Sequence, residues 1–283
     1  MSVAEGFFPP PPALADCVRS ALVTRLPGGP YLLPAALHPL LLVVLDGSVV
    51  VGMGETAQPL PVVSLCGATR GACPARAAPG TRIVTVTLRP GGLGALFGVS
   101  APEIMAACVD SAAALMAPGR GELARFVEAR GTAGEVGDDV SRLWACLAAI
   151  RCGAPDAAVL RVPTALLPLP ADALADRLGL GRRQFERRFL HSFGQPLRAY
   201  RHQLRCSQTL SALIAGKARV DAWATLAAAM GYADQAHLCR DVRRFTGHTP
   251  RALQAGIVGG DPAFWPYRVE AALLARHFGP TGF

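Results

Sequence analysis

The pattern of apolar and polar positions changes character after Gly98. Before it, apolar residues rich in valine and leucine come in short runs bounded by glycine and proline. These runs predict strands over Ala21 to Arg25, Leu40 to Leu45, Ser48 to Met53, Pro61 to Leu65 and Arg82 to Leu88. Pro27-Gly28-Gly29-Pro30 and Pro90-Gly91-Gly92 read as turns between them. Asp46-Gly47, between two apolar runs, predicts a tight hairpin. The spacing suits a small antiparallel barrel or sandwich. After Gly98 the period is helical, with helices expected near Ala101 to Ala107, Ser111 to Met116, Gly121 to Ala129 and Val136 to Arg151. Prolines at 155, 163, 168 and 170 mark a linker, because proline blocks helix continuation and few contacts cross such a stretch.

Beyond the linker the helical pattern occurs twice. Leu174-Ala175, Gly179, Phe185, Arg187, Phe189 and Gly194 are echoed by Leu226-Ala227, Gly231, Leu238, Arg240, Val242 and Gly247, with one extra residue in the second turn. Helices are expected over Ala171 to Leu178 and Arg182 to Leu190, then over Ala222 to Met230 and Gln235 to Phe245. A long helix, Leu197 to Ala215, opened by Pro196 and stopped by Gly216, joins the two units. Helix, glycine turn and arginine-bearing helix, in tandem, is the pattern of two helix-turn-helix units, each able to lay one helix in a DNA major groove. Phe185 and Phe189 lie four apart and share the buried face, so Arg183 and Arg187 point outward, flanked by Arg182, Glu186 and Arg188. In the second unit Leu238, Val242 and Phe245 take the core face. Gln235, His237, Arg240 and Arg244 fall elsewhere on the wheel, with Asp234 as the cap. Arginine suits guanine O6 and N7 or a phosphate, and glutamine suits adenine N6 and N7. The competing reading of either face is a solvated one, and His237 fits a surface or capping role as well as a DNA contact.

Charge separates the same two parts. Residues 1–160 carry 11 Lys+Arg against 12 Asp+Glu, a net of −1, whereas residues 161–283 carry 17 against 8, a net of +9. A basic half suits a polyanion, since phosphate neutralisation supplies sequence-independent affinity for DNA, and a neutral apolar half suits a sensor or an interface. The expected division is residues 1–155 for effector sensing and dimerisation, 156–170 as linker, 171–256 for DNA binding and 257–283 as an extension. The N-terminus, with its Phe7-Phe8-Pro9-Pro10-Pro11-Pro12 lead-in, has no export pattern. The longest apolar run, Leu40 to Met53, is broken by Asp46-Gly47, too short for a bilayer. A cytoplasmic, nucleoid-associated protein with no membrane partner is expected, and its eight cysteines, with no CxxC pair, read as reduced and mostly buried thiols.

Leu226 to Pro250, with Gly231-Tyr232-Ala233-Asp234-Gln235-Ala236-His237-Leu238 at its centre, closely resembles the signature of the AraC/XylS transcriptional regulators. So does Leu174 to Tyr200, with Phe185-Glu186-Arg187-Arg188-Phe189. The resemblance implies a seven-helix DNA-binding domain whose recognition helices enter successive major grooves. It puts the groove-facing positions at Arg182, Arg183, Glu186 and Arg187 and at Gln235, Ala236, His237 and Arg240. Gly181 stands where the family has a serine cap, and Thr209 where its linker helix carries alanine. Val84 to Gly98 resembles the sensor domain of some of these regulators, which implies a cupin-like barrel. The fold expected overall is α+β: a small cupin-like β-barrel with packed helices, then an all-α domain of two helix-turn-helix units.

What the first half binds stays open. His38 is the only histidine before residue 191, so the clustered ligands of a metal cupin are missing and no metal or cofactor is expected. Cys66 and Cys73 form either a thiol sensor or two inert thiols, and Arg70, Arg82 and Arg89 either hold an anionic effector or are solvated. Three classes of function follow. One is an effector-responsive or thiol-responsive regulator acting on double-stranded promoter DNA as a homodimer, with RNA polymerase as a partner if it activates. Another is an enzyme with a DNA anchor that transfers a methyl group to cysteine. That enzyme needs a four-cysteine zinc cluster, which these spacings do not provide. The last is a constitutive DNA-binding protein whose first half only dimerises. An enclosed apolar cavity with a few polar groups favours sensing, and a filled barrel favours dimerisation alone.

Overall fold

A computed structural model of the chain describes residues 4–105, 108–110, 117–130, 135–151, 159–214 and 223–268. The first half is built on two antiparallel sheets. The larger has the order β1 (Ala4–Phe8), β2 (Val18–Arg25), β9 (Arg82–Leu88), β4 (Leu40–Asp46), β7 (Val63–Cys66) and β10 (Cys108–Asp110). The smaller has the order β3 (Gly29–Leu33), β8 (Cys73–Ala77), β5 (Val49–Val51) and β6 (Gln58–Pro59). The two sheets do not close on each other, so the expected barrel is corrected to an open two-sheet arrangement within the expected α+β class.

The Asp46-Gly47 turn shows why. Gly47 adopts φ +80° as a tight turn requires, and Asp46 Oδ1 accepts a hydrogen bond from its amide at 2.8 Å. Yet β4 and β5 do not pair. Both edges of β4 are occupied, by β9 and β7, so the chain leaves the turn into the second sheet, where β5 pairs with β8 and β6. The predicted hairpin is a corner between sheets.

Strand β9 is apolar along most of its length because both of its faces are covered. Val84, Val86 and Leu88 pack with Leu41, Val43 and Leu65 against α1 (Gly92–Phe97), α2 (Ala117–Ala129) and α3 (Val136–Ile150). Ile83 turns the other way, into a core with Tyr31, Val44, Val49 and Trp265. The helix expected over 101–107 is a single 3-10 turn, Ala101–Ile104, followed by β10, and the one expected over 111–116 lies outside the described residues.

In the second half, α4 (Ala171–Arg177), α5 (Arg182–Phe193), α6 (Leu197–Ile214), α7 (Trp223–Ala229) and α8 (Gln235–Thr246) follow the predicted spans closely. They are succeeded by α9 (Pro250–Val258) and a 3-10 segment, Pro262–Tyr267. Helix α6 serves two cores. Leu197, Tyr200 and Leu204 join Leu174, Phe185, Phe189 and Phe193, and Cys206 joins Trp223, Leu226, Leu238, Val242 and Phe245. Phe189 stacks on Phe193 with centroids 4.2 Å apart and meets Tyr200 edge-on at 5.7 Å.

The halves are joined by hydrogen bonds and packing. The Ala35 amide donates to Phe245 O at 2.8 Å, Gln203 Nε2 to Thr69 O at 3.1 Å, and the Leu160 amide to Ser192 Oγ at 2.8 Å. The segment after α9 turns back onto the sheets, where Trp265 meets Tyr31 edge-on at 5.3 Å. Among the described residues no helix is long and apolar enough to cross a membrane.

Candidate nucleic-acid interface

The repeat in the sequence is a repeat in space. Gly179 and Gly231 reverse the chain at φ +64° and +71°, a left-handed conformation that favours glycine. Immediately after each, the same bond closes the turn: Leu180 N donates to Ala175 O at 2.9 Å and Tyr232 N to Ala227 O at 2.9 Å. The single extra residue falls before the second recognition helix and changes its cap. Asp234 Oδ1 accepts from His237 N at 2.6 Å, whereas Gly181 offers α5 no side-chain cap. Thr209, the other departure from the family pattern, is fully buried and satisfied, its hydroxyl donating to Arg205 O at 2.8 Å.

Arg182, Arg183, Glu186 and Arg187 are exposed along α5, and Arg188 is half-buried. Arg182 is bound to Asp172 at 2.7 Å and to Glu186 at 3.0 Å. Exposed pairs of this kind are screened by water and contribute little, so a phosphate can displace them. On α8, Gln235, Ala236, Arg240 and Arg244 are exposed. His237 is half-buried, edge-on to Tyr232 at 5.2 Å, and its Nε2 lies 3.8 Å from Asp241 Oδ2, a carboxylate in the core face of the helix. Two residues outside the predicted set complete this cluster. His202 Nε2 is 2.5 Å from Asp241 Oδ2, and Arg205 Nη2 is 3.8 Å from it, both from α6. His237 and Asp241 are four apart on one helix and share a face legibly, but His202 comes from another helix, and only folding brings it there.

Of the predicted effector residues, Cys66 and Cys73 both line one cavity, described below, whereas the three arginines lie outside it. Arg82 Nε binds Glu5 Oε2 at 3.2 Å, Arg89 Nε donates to Val18 O at 3.1 Å, and Arg70 is exposed. His38 is buried, with Nε2 3.0 Å from Arg19 Nη1. Cys66 and Cys73 do not pair with each other: Cys66 is disulfide-bonded and Cys73 is free. The expectation of reduced thiols fails at Cys66. The strand register sets Cys108 of β10 opposite it, a juxtaposition that spacing in sequence cannot show. Burial raises the Cys73 thiol and pushes Cys17 and Cys146 up to about 11, which leaves them poor nucleophiles.

A cavity of about 200 Å³ lies between the sheets, α6 and the segment after α9. Leu22, Leu42, Ile83 and Thr85 line it from the large sheet, Gln203, Cys206 and Leu210 from α6, and Phe245 from the second recognition helix. Two buried polar atoms on its wall, Thr24 Oγ1 and Trp265 Nε1, have no hydrogen-bond partner.

Residues 174–256 match the helix-turn-helix domain family. The C-terminal part of this chain is a helix-turn-helix domain of the AraC type, a DNA-binding module of transcription regulators. No curated protein matches the chain by sequence. Among solved structures, wild-type ToxT from Vibrio cholerae with a bound unsaturated fatty acid is 11% identical, with 84% of this chain and 95% of that chain covered and a TM-score of 0.43. A ligand-free point variant of the same Vibrio cholerae protein is 12% identical, covering 82% and 95%, also at 0.43. The AraC-like transcriptional activator CuxR is 14% identical, covering 68% and 76%, at 0.29.

Proposed function

We propose that this chain is a sequence-specific transcription regulator that reads promoter DNA with α5 and α8 and responds to a small-molecule effector held by its first half. The observation that carries the first part is the pair of exposed, arginine-bearing helices, each following the same glycine turn, in a region with a net charge of +9. Helix α6 between them has 18 residues, about 27 Å at 1.5 Å per residue, a length comparable to one turn of DNA, at roughly 34 Å. Arg183, Arg187, Gln235 and Arg240 are the base-reading candidates, and Arg182, Arg188 and Arg244 suit phosphates. His237 and Ala236 border this set in the first turn of α8. The reading is one of binding, with no chemistry.

The second part rests on the cavity. Its mostly apolar wall carries two orphaned polar atoms, and leaving such groups buried costs about 1–3 kcal/mol each. A compact, largely apolar molecule with one or two hydrogen-bonding groups would satisfy them. Because the wall takes residues from the sheets, from α6 and from α8, occupancy bears directly on how the second recognition helix is held. Residues 1–155 would then sense and dimerise, 156–170 link, and 171–256 bind DNA, with 257–283 as an extension whose Trp265, Pro266 and Tyr267 line the cavity.

Selection of genomic fragments by the purified full-length protein tests the first part. A motif with two half-sites about 10 base pairs apart is expected, and only salt-sensitive, sequence-blind binding would sink it. Filling the cavity with Thr24→Leu, and then measuring whether compounds selected from the genes beside that motif still alter DNA affinity, tests the second.

A further inference from the structure

Among the described residues one cluster has the composition of a metal site, and only its His237 also figures in the DNA-binding reading. His202, His237 and Asp241 each offer a ligand atom, and these atoms all lie within 4.8 Å of one another. Both imidazoles approach the same carboxylate oxygen, His202 at 2.5 Å and His237 at 3.8 Å. Asp241 is only 5% exposed, while the two histidines are half-buried at its mouth. His237 and Asp241 stand four apart on α8, the spacing that puts two ligands on one helical face, and His202 supplies a third ligand from the facing helix α6.

We propose that His202, His237 and Asp241 bind a divalent transition-metal ion of the zinc class, clamping the second recognition helix to the long helix. Two imidazoles and one carboxylate are the donor set of a three-ligand zinc site with a fourth position left to water. The route to that position is open, since His202 and His237 line a groove of about 1010 Å³ between α6, the 164–168 segment and the second helix-turn-helix unit, together with Arg201, Gln208 and Arg244. A tetrahedral zinc ion bound at about 2.0–2.1 Å sets its ligand atoms about 3.3 Å apart, so loading parts His202 from Asp241 and draws His237 inward, and His237 has the exposure to move. Binding also replaces the hydrogen bond between His202 and Asp241 with a bond from each to the ion. Arg205 does not occupy the place of the ion. Its Nη1 is held by Gly231 O at 2.9 Å, and its guanidinium carbon lies over the Tyr232 ring at 4.3 Å, so its charge reaches Asp241 only at 3.8 Å. The buried carboxylate therefore has one hydrogen-bonding partner and two longer contacts, and the ion replaces these with direct bonds. His237 sits in the first turn of α8, so a loaded site holds its ring against α6 and away from a DNA base.

The test is titration of chelator-stripped, full-length protein with Co²⁺ followed by visible absorption, then displacement by Zn²⁺. One equivalent per chain is expected, with the visible bands of a four-coordinate nitrogen and oxygen site and without the intense near-ultraviolet band of thiolate ligation. His202→Gln and His237→Gln should each weaken binding by about tenfold or more and abolish the metal-dependent rise in melting temperature seen in the parent protein. If Asp241→Asn does not fold, the two histidine variants, at half-exposed positions, decide the matter. Absence of stoichiometric binding, a thiolate band, or unchanged affinity in both histidine variants overturns the site.

Discussion

The two helix-turn-helix units share a backbone plan and differ in what fills it. Allowing for the extra residue, Phe185, Phe189 and Gly194 correspond to Leu238, Val242 and Gly247, and Arg187 corresponds to Arg240. The first unit is held by rings, Phe185, Phe189, Phe193 and Tyr200, around an apolar centre. In the second, the position equivalent to Arg188 is Asp241, a buried carboxylate shared with His202, His237 and Arg205. A glycine turn and an apolar stripe are enough to specify the motif, because they fix the path of the chain. The polar residues between them are free to diverge, and here they make one unit a rigid aromatic block and tie the other to the long helix and the cavity.

That contrast can be broken or sharpened at five positions. Phe189→Ala should destabilise the protein most, by about 3–5 kcal/mol, because a ring stacked at 4.2 Å on its neighbour leaves a void that the aromatic block cannot close. Urea unfolding measures this, and a loss within about 0.5 kcal/mol, the range of surface substitutions, would show that the first unit is not held by its rings. Arg187→Ala and Arg240→Ala should each cost about 1 to 3 kcal/mol of specific affinity and relax preference at separate half-sites. Competition binding with mutated half-sites reads the effect, and a loss confined to one arginine would mean that only one unit reads bases. Asp234→Ala should lose about 1 kcal/mol of stability through the missing cap, seen as a lower urea midpoint with an unchanged slope. Gly181→Ser, which gives the first unit the cap it lacks, should gain only a few tenths of a kcal/mol, since glycine is itself a tolerable cap. A larger gain would mean that α5 starts poorly without a side-chain acceptor.

The closing glycines of the two recognition helices carry the contrast into the first half. Gly194 and Gly247 both end their helices at positive φ. A Cβ on Gly194 would meet Ala101 at 3.3 Å, and one on Gly247 would fall 2.4 Å from Leu32 Cδ1. Both units therefore lie close against the N-terminal half, and the second is the tighter.

Legibility followed the range of the interactions. Helices α4 to α8 were readable because caps, glycine stops and apolar periods act within a turn or two. Several strands were missed because their rule-breaking residues sit where the sheet tolerates them. β3 opens with Gly29-Pro30, yet it is an edge strand, and Pro74 of β8 lies beyond the stretch, Ala75 to Ala77, that pairs with β5. α1 was hidden inside a Gly91-Gly92 turn signal, and the segment 262–267 gave no sign of how Trp265 would pack. The candidate site divides in the same way. The outward arginines of α5 and α8 follow from helical spacing alone, whereas His202 beside Asp241, Cys108 across from Cys66, and a cavity walled by both halves depend on residues distant in sequence.

By itself the sequence determined that this chain carries two copies of a helix, a glycine turn and a basic helix, since each copy is specified by contacts within a few residues. Only the tertiary structure decided that the strands would form two open sheets, that the long helix would line a cavity with them, and that a buried carboxylate would gather two histidines. Those outcomes depend on which faces are left to bury once the local elements exist, and that selection is made among surfaces far apart along the chain.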